Sequence, residues 1–140
     1  MKLIEKKMNL FEVDDKYYFV HCISADFAMG AGIAVEFNKR FSMRARLRTR
    51  FGHKTDFPKT VLVYKVFNLI TKAKYYDKPT YQTIEKTIVE MKDICEQESI
   101  KYLAMPKIGC GLDRLSWGKV REIIKEQFND TDIEILVCSL

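Results

Sequence analysis

The chain has 140 residues, of which 47% are hydrophobic and 31% charged, and its formal net charge is +5. That length suits a single domain over residues 1–140 with a substantial core. No run approaches the roughly 20 apolar residues that span a bilayer, and MKLIEKKMNLFE at the N-terminus has no apolar signal core, so a cytoplasmic protein without a membrane partner is expected.

In chain order, LIEKK (3–7) reads as a first strand and Asp14–Asp15 as a turn. YYFVHCI (17–23) is a dense apolar run, as expected of a strand covered on both faces. AMGAGIAVEFNKRF (28–41) begins as a glycine-rich turn and continues with helix formers. From Lys39 to Arg50 six basic residues occur with no acidic one. This cluster, with Arg44, Arg46, Arg48 and Arg50 at its centre, is either a site for a polyanion such as nucleic acid or a solvated basic face.

TVLVYKV (60–66) and FNLIT (67–71) read as two strands, with no strong turn signal between Lys65 and Asn68. Residues 80–98 form the clearest helix, because Tyr81, Ile84, Ile88, Met91 and Cys95 recur at a 3-4 spacing behind Pro79 and Thr80. YLAMP (102–106) is a short strand stopped by its proline. Ser116 is placed to cap a last helix with Trp117, Val120, Ile124 and Phe128 on one stripe, and IEILVCSL (133–140) is a closing strand.

Strands interleaved with helices define an α/β domain with helices on both sides of a mixed sheet. In such sheets ligands gather beyond the carboxyl ends of the strands. Two post-strand segments, SADFAMGAGIA and KIGCGLDRL, carry paired glycines ahead of helices. Glycine lets a ligand approach the backbone, and helix N-termini attract anions, so a diphosphate fits between the loops. The spacing is neither G-x-G-x-x-G nor a P-loop.

Neither the four scattered cysteines nor the two histidines, His21 and His53, make a metal-ligand pattern, so no metal and no cofactor is expected. A lysine at a strand end and an aspartate in a glycine loop beyond another strand can face one another. Lys72 and Asp113 occupy such positions, although a lysine after a strand is usually solvated. A neutral amine can displace a carboxylate from an anomeric carbon, and a nearby carboxylate can move the protons. Lys74 competes for the nucleophile's role, and Asp113 could instead cap a helix or pair with Arg114. Cys110 and His21 read as packing residues.

The stretches HCISADFAMGAGIAVEF (21–37), NLITKAKYYDKPTY (68–81) and MPKIGCGLDRLSW (105–117) resemble the macrodomain family, most strongly the branch of the terminal ADP-ribose protein glycohydrolase. The likeness runs over almost the whole chain. It implies a three-layer α/β/α sandwich with a mixed, mostly parallel central sheet and an ADP-ribose cleft at the strand ends. It also implies hydrolysis of ADP-ribose from glutamate or aspartate esters or from O-acyl-ADP-ribose, without metal. A bacterial or phage-type relative in that branch removes ADP-ribose from DNA bases as an antitoxin.

Carried over motif by motif, the resemblance makes Lys72 the nucleophile and Asp113 its acidic partner. Ile23, Ser24, Gly32 and Ile33 form one side of the groove, and Pro106, Ile108, Gly109, Cys110, Gly111 and Leu112 the phosphate and distal-ribose loop, with Thr71 a further contact. Where many relatives place an adenine-reading aspartate, this chain has Asn9 in MNLF, with Leu10 and Phe11 beside it. A binding module without catalysis, a DNA-directed de-ADP-ribosylase using the arginine cluster and a phosphatase of ADP-ribose 1″-phosphate are the alternatives.

Overall fold

A computed structural model describes residues 1–140. Six strands form one sheet in the order β1-β6-β5-β2-β4-β3. They are β1 (Lys2–Lys7), β2 (Tyr18–Ser24), β3 (Lys59–Val63), β4 (Val66–Lys72), β5 (Tyr102–Met105) and β6 (Glu134–Ser139). All neighbours run parallel except β3, which pairs antiparallel with β4 at one edge. The helices are α1 (Ala34–Phe41), α2 (Met43–Phe51), α3 (Tyr81–Glu98) and α4 (Trp117–Phe128).

Alternation along the strands splits the core in two. Val20, Phe67, Leu69, Leu103, Ile135 and Val137 face α3 and α4, where they meet Ile84, Ile88, Met91, Val120, Ile124 and Phe128. Ile23, Val66, Ile70, Ala104 and Leu136 face the other way and pack with Phe37, Met43 and Leu47 of α1 and α2. The result is the expected three-layer α/β/α sandwich. The capping box of α3, in which Thr80 and Thr83 exchange side-chain and backbone hydrogen bonds, fixes that helix's start behind Pro79.

Several local expectations change. The hairpin between β3 and β4 turns at Tyr64–Lys65, two residues earlier than its sequence suggests, with Val63 opposite Val66 and Tyr64 in the left-handed region at φ +56°. The glycine-rich segment stays open until Ala34, so α1 is shorter than 28–41. Ser116 sits at the N-cap of α4 but its side chain makes no cap hydrogen bond. The arginine cluster hides a helix, α2, separated from α1 by one left-handed residue, Ser42. Only Met43 and Leu47 of that helix are buried, so it has almost no apolar stripe to be read. No helix is long and apolar enough to cross a membrane.

Candidate functional site

A cleft of about 760 Å³ opens at the carboxyl ends of β2, β4 and β5. One wall is the segment after β2. Its backbone enters the left-handed region at Phe27, Met29 and Gly32, with φ of +54°, +50° and +62°. Phe27 and Met29 nonetheless bury their side chains in the core, which holds the strained backbone in place. The segment runs into α1, whose N-terminus carries no side-chain cap. Gly32, Ile33 and Ala34 therefore bring the first turn's amides and the positive end of the helix dipole to the cleft.

The opposite wall is the loop after β5. Gly109 takes φ +74° and lies so close to Ile84 and Leu115 that a Cβ there would meet both at 3.2 Å. The loop then rises to Leu112, which is 63% exposed and leans toward Gly32. A Cβ on Gly32 would stand 3.4 Å from Leu112 Cδ1. The two glycine loops thus face each other across the cleft, with the Leu112 side chain reaching toward Gly32.

Lys72 closes β4 and Asp113 follows the Gly109 loop. Lys72 Nζ donates to Asp113 Oδ1 at 2.7 Å, with both side chains largely withdrawn from solvent. A register shift makes this meeting possible. Ile23 pairs with Ile70, but Ser24 pairs with Lys72, so Thr71 is an extra residue in β4. A bulge of one residue exchanges the faces of everything after it. Without it, Lys72 would share the face of Ile70 and point toward α1 and α2. With it, Lys72 shares the face of Ser24, Cys22 and Leu69 and reaches Asp113. The Ala25 N–H donates to Lys72 O at 2.8 Å and ties the bulged strand end to the next loop.

A second carboxylate organises the rim. Asp26 Oδ1 accepts from Ser24 Oγ at 2.5 Å and from the Ala28 N–H at 3.1 Å, while Oδ2 accepts from the Tyr75 N–H at 3.1 Å. Burial opposes its ionisation, but the hydrogen bonds from Ser24, Ala28 and Tyr75 outweigh it and hold the carboxyl below its ordinary range. Asp26 so joins the loops after β2 and β4. Lys78 Nζ donates to Leu112 O at 2.9 Å and joins the loop after β4 to the loop after β5.

Of the residues expected at the site, Lys72, Asp113, Ile23, Ser24, Gly32, Ile33, Pro106, Ile108, Gly109, Gly111 and Leu112 all line this cleft. Four others lie off its walls. Asn9 Oδ1 accepts from the Phe11 N–H and caps a short 3-10 turn, Leu10–Glu12. Leu10 is buried in the core beneath α1 and α2. Thr71 is buried with its Oγ1 unpartnered. Cys110 Sγ donates to Ile108 O at 3.2 Å, and burial pushes its thiol up. Cys22 lines the wall, and burial, then Asp113, raise its thiol in turn, so neither cysteine is poised as a thiolate.

Sequence reasoning had not assigned Cys22, Asp26, Tyr75 or Lys78 to the site. Three of the four arginines of α2 reach backbone carbonyls: Arg44 Nε donates to Phe27 O, Arg46 Nε to Phe41 O and Arg50 to Leu62 O. Arg44 is half-buried, whereas Arg46, Arg48 and Arg50 are exposed. No three His, Cys, Asp or Glu side chains converge as metal ligands.

Fold and site together define a three-layer α/β/α domain whose cleft, at the carboxyl ends of the strands, is walled by two glycine loops and the N-terminus of α1 beside a lysine–aspartate pair. The chain belongs to the Macro domain family, whose model matches residues 20–124. It is 42% identical over 139 residues to the ADP-ribose glycohydrolase OARD1 of Bos taurus, and 41% identical to that of Homo sapiens. Each alignment covers 96% of this chain and 89% of the relative. Among solved structures, the macrodomain of Thermus aquaticus DarG superposes with a TM-score of 0.84 at 18% identity, covering 99% of this chain and 98% of that one. Thermosipho africanus DarTG in complex with ADP-ribose superposes with a TM-score of 0.80 at 18% identity, over 99% of this chain and 42% of that one. These structural likenesses establish the shared fold.

Proposed function

We propose that this protein is an ADP-ribosyl glycohydrolase that frees ADP-ribose from carboxylate esters or O-acyl-ADP-ribose. The observation that carries this reading is the 2.7 Å contact between Lys72 Nζ and Asp113 Oδ1 at the foot of the cleft. The names of the OARD1 relatives support it, since the identity to them extends over nearly the whole chain.

In this reading the diphosphate lies between the Gly32 and Gly109 loops, and the distal ribose sits over Lys72. Asp113 takes a proton from the ammonium, which leaves the amine a free electron pair. Lys72 Nζ attacks the anomeric carbon, the C–O bond to the acyl group breaks and the carboxylate departs with the electron pair. Asp113 passes its proton to the departing carboxylate; as a carboxylate again it draws a proton from the water that attacks the sugar-bound intermediate, the C–N bond breaks to return the neutral amine, and Asp113 hands that proton back to Lys72. The partly buried setting strengthens both the ion pair and the orientation it imposes.

A panel of glutamate-linked, serine-linked and DNA-linked ADP-ribose, together with acetylated ADP-ribose, tests the reading. Turnover of the ester substrates that vanishes in Lys72→Ala is expected; turnover that survives overturns it. Calorimetric binding of ADP-ribose with no hydrolysis of any substrate identifies a binding module instead. The exposed basic helix α2 favours a second reading, in which the carrier of the ADP-ribose is nucleic acid. It calls for DNA-linked turnover and steeply salt-dependent binding through Arg44, Arg46, Arg48 and Arg50.

A further inference from the structure

Asp113 sits in a stretch with few ties to the rest of the protein. The loop after β5 is anchored at Gly109, which lies against Ile84, and again at Ser116, whose N–H donates to Tyr81 Oη at 2.9 Å. Between those anchors its backbone hydrogen bonds stay within the loop: Cys110 N–H to Lys107 O, Arg114 N–H to Gly111 O and Leu115 N–H to Gly109 O. Only two hydrogen bonds reach residues 110–115 from elsewhere. Lys72 Nζ donates to Asp113 Oδ1 at 2.7 Å, and Lys78 Nζ donates to Leu112 O at 2.9 Å.

Lys78 is itself firmly placed. It precedes Pro79, which is buried and confines the backbone before it to extended conformations. Helix α3 follows at once, behind the Thr80–Thr83 capping box. No carboxylate pairs with Lys78, so its charge-assisted bond to the Leu112 carbonyl is unshared. The reaction treats the two ties differently. In the glycohydrolase reading, Lys72 Nζ becomes bonded to the anomeric carbon while Asp113 turns to the attacking water. The contact between them is given up at the stage when the carboxylate must hold its place. The Lys78 contact involves no reacting atom and persists through that stage.

We propose that Lys78 is a positioning residue for the second half of the reaction: by holding Leu112 O, it keeps the adjoining Asp113 carboxylate aimed at the water that releases the sugar from Lys72. This role rests on the glycohydrolase reading of the cleft and deepens it, because it makes the two steps depend differently on one side chain. Lys78 also lines the cleft. A lysine that served there only to neutralise phosphate would act on binding, and so on both steps alike.

Lys78→Met removes the ammonium at nearly constant length, and Lys78→Arg keeps a cationic donor. Rapid mixing of the full chain with a glutamate-linked ADP-ribosyl peptide, then acid quench and intact-protein mass spectrometry, reads both steps. Peptide release reports the first, and ADP-ribose carried on the enzyme reports the second. In Lys78→Met, kcat is expected to fall by roughly 10- to 100-fold, with a burst of peptide stoichiometric with enzyme and ADP-ribose held on Lys72. Calorimetric affinity for ADP-ribose and the urea unfolding midpoint should stay at wild-type values, and Lys78→Arg should restore most of the turnover. Unchanged turnover in Lys78→Met, peptide release slowed as much as overall turnover with no adduct, or ADP-ribose affinity that falls in step with kcat each overturns the role of Lys78 and leaves the glycohydrolase reading standing. Wild-type protein that turns over no ester overturns the reading itself, and the positioning role with it.

Discussion

Lys72 Nζ lies 2.7 Å from Asp113 Oδ1, although 41 positions separate the two residues in the chain. Each comes from the end of a different strand or its following loop, and the Thr71 bulge turns the lysine to the face where the carboxylate waits. Chemistry and architecture are therefore coupled at one residue of register.

If the pair acts as a unit, its members' losses do not add. Lys72→Ala should lower turnover by at least about a thousandfold and Asp113→Ala by roughly a hundred- to ten-thousandfold. The double variant should be no slower than Lys72→Ala alone. Single-turnover kinetics on a glutamate-linked substrate check this, and losses that multiply would mean the two residues work independently.

The three loop glycines should separate by geometry. Gly109→Ala forces a left-handed alanine against Ile84 and Leu115 at 3.2 Å, and should cost about 1–3 kcal/mol of stability. Gly32→Ala carries the backbone strain with milder crowding and should cost about 1 kcal/mol while weakening ADP-ribose binding. Gly111→Ala meets open space without a positive φ and should leave stability within about 0.5 kcal/mol of wild type. Urea unfolding and calorimetry distinguish the three.

Thr71 Oγ1 is buried without a hydrogen-bond partner. Thr71→Val removes the unsatisfied hydroxyl at almost constant volume, so stability should rise by about 1 kcal/mol. ADP-ribose affinity should be unchanged, because the side chain lies off the cleft wall. Affinity that falls with the hydroxyl would make Thr71 a ligand contact.

His21 links stability to pH. Its ring is fully buried and stacked on Phe37 at 4.0 Å. Asn68 donates through Nδ2 to Val61 O and Val66 O, so its Oδ1 accepts the proton of His21 Nε2 at 2.6 Å and Nδ1 is left bare. Burial lowers the imidazole to about 4, against an ordinary 6.5, with the Asn68 contact opposing. The unfolded chain then binds the proton first as pH falls. Stability is full above about 6.5 and declines toward 4, by up to roughly 3 kcal/mol. Unfolding midpoints measured from pH 7 to pH 4 should show that slope, and His21→Leu should flatten it.

Much of this molecule is legible in its sequence because the signals are local. The spacing from Tyr81 to Cys95 encodes α3, the apolar density of 17–23 encodes a doubly covered strand, and the paired glycines mark where backbone must approach a ligand. Helix α2 is not legible, since two buried side chains among nine residues make no readable stripe. Asn9 resembles a base-reading residue by position, yet its oxygen is engaged by the Phe11 amide.

By itself, then, the sequence determined the layers, the two glycine loops and the residue types at the strand ends, since each depends on periodicity or on a backbone freedom that one residue confers. Only the tertiary structure decided that Thr71 is a bulge, that Lys72 therefore meets Asp113, and that Asp26 and Lys78 tie the loop after β4 to the loops beside it. Register between strands and contact between distant loops are set by how two packed faces fit together, and no single segment of chain contains that information.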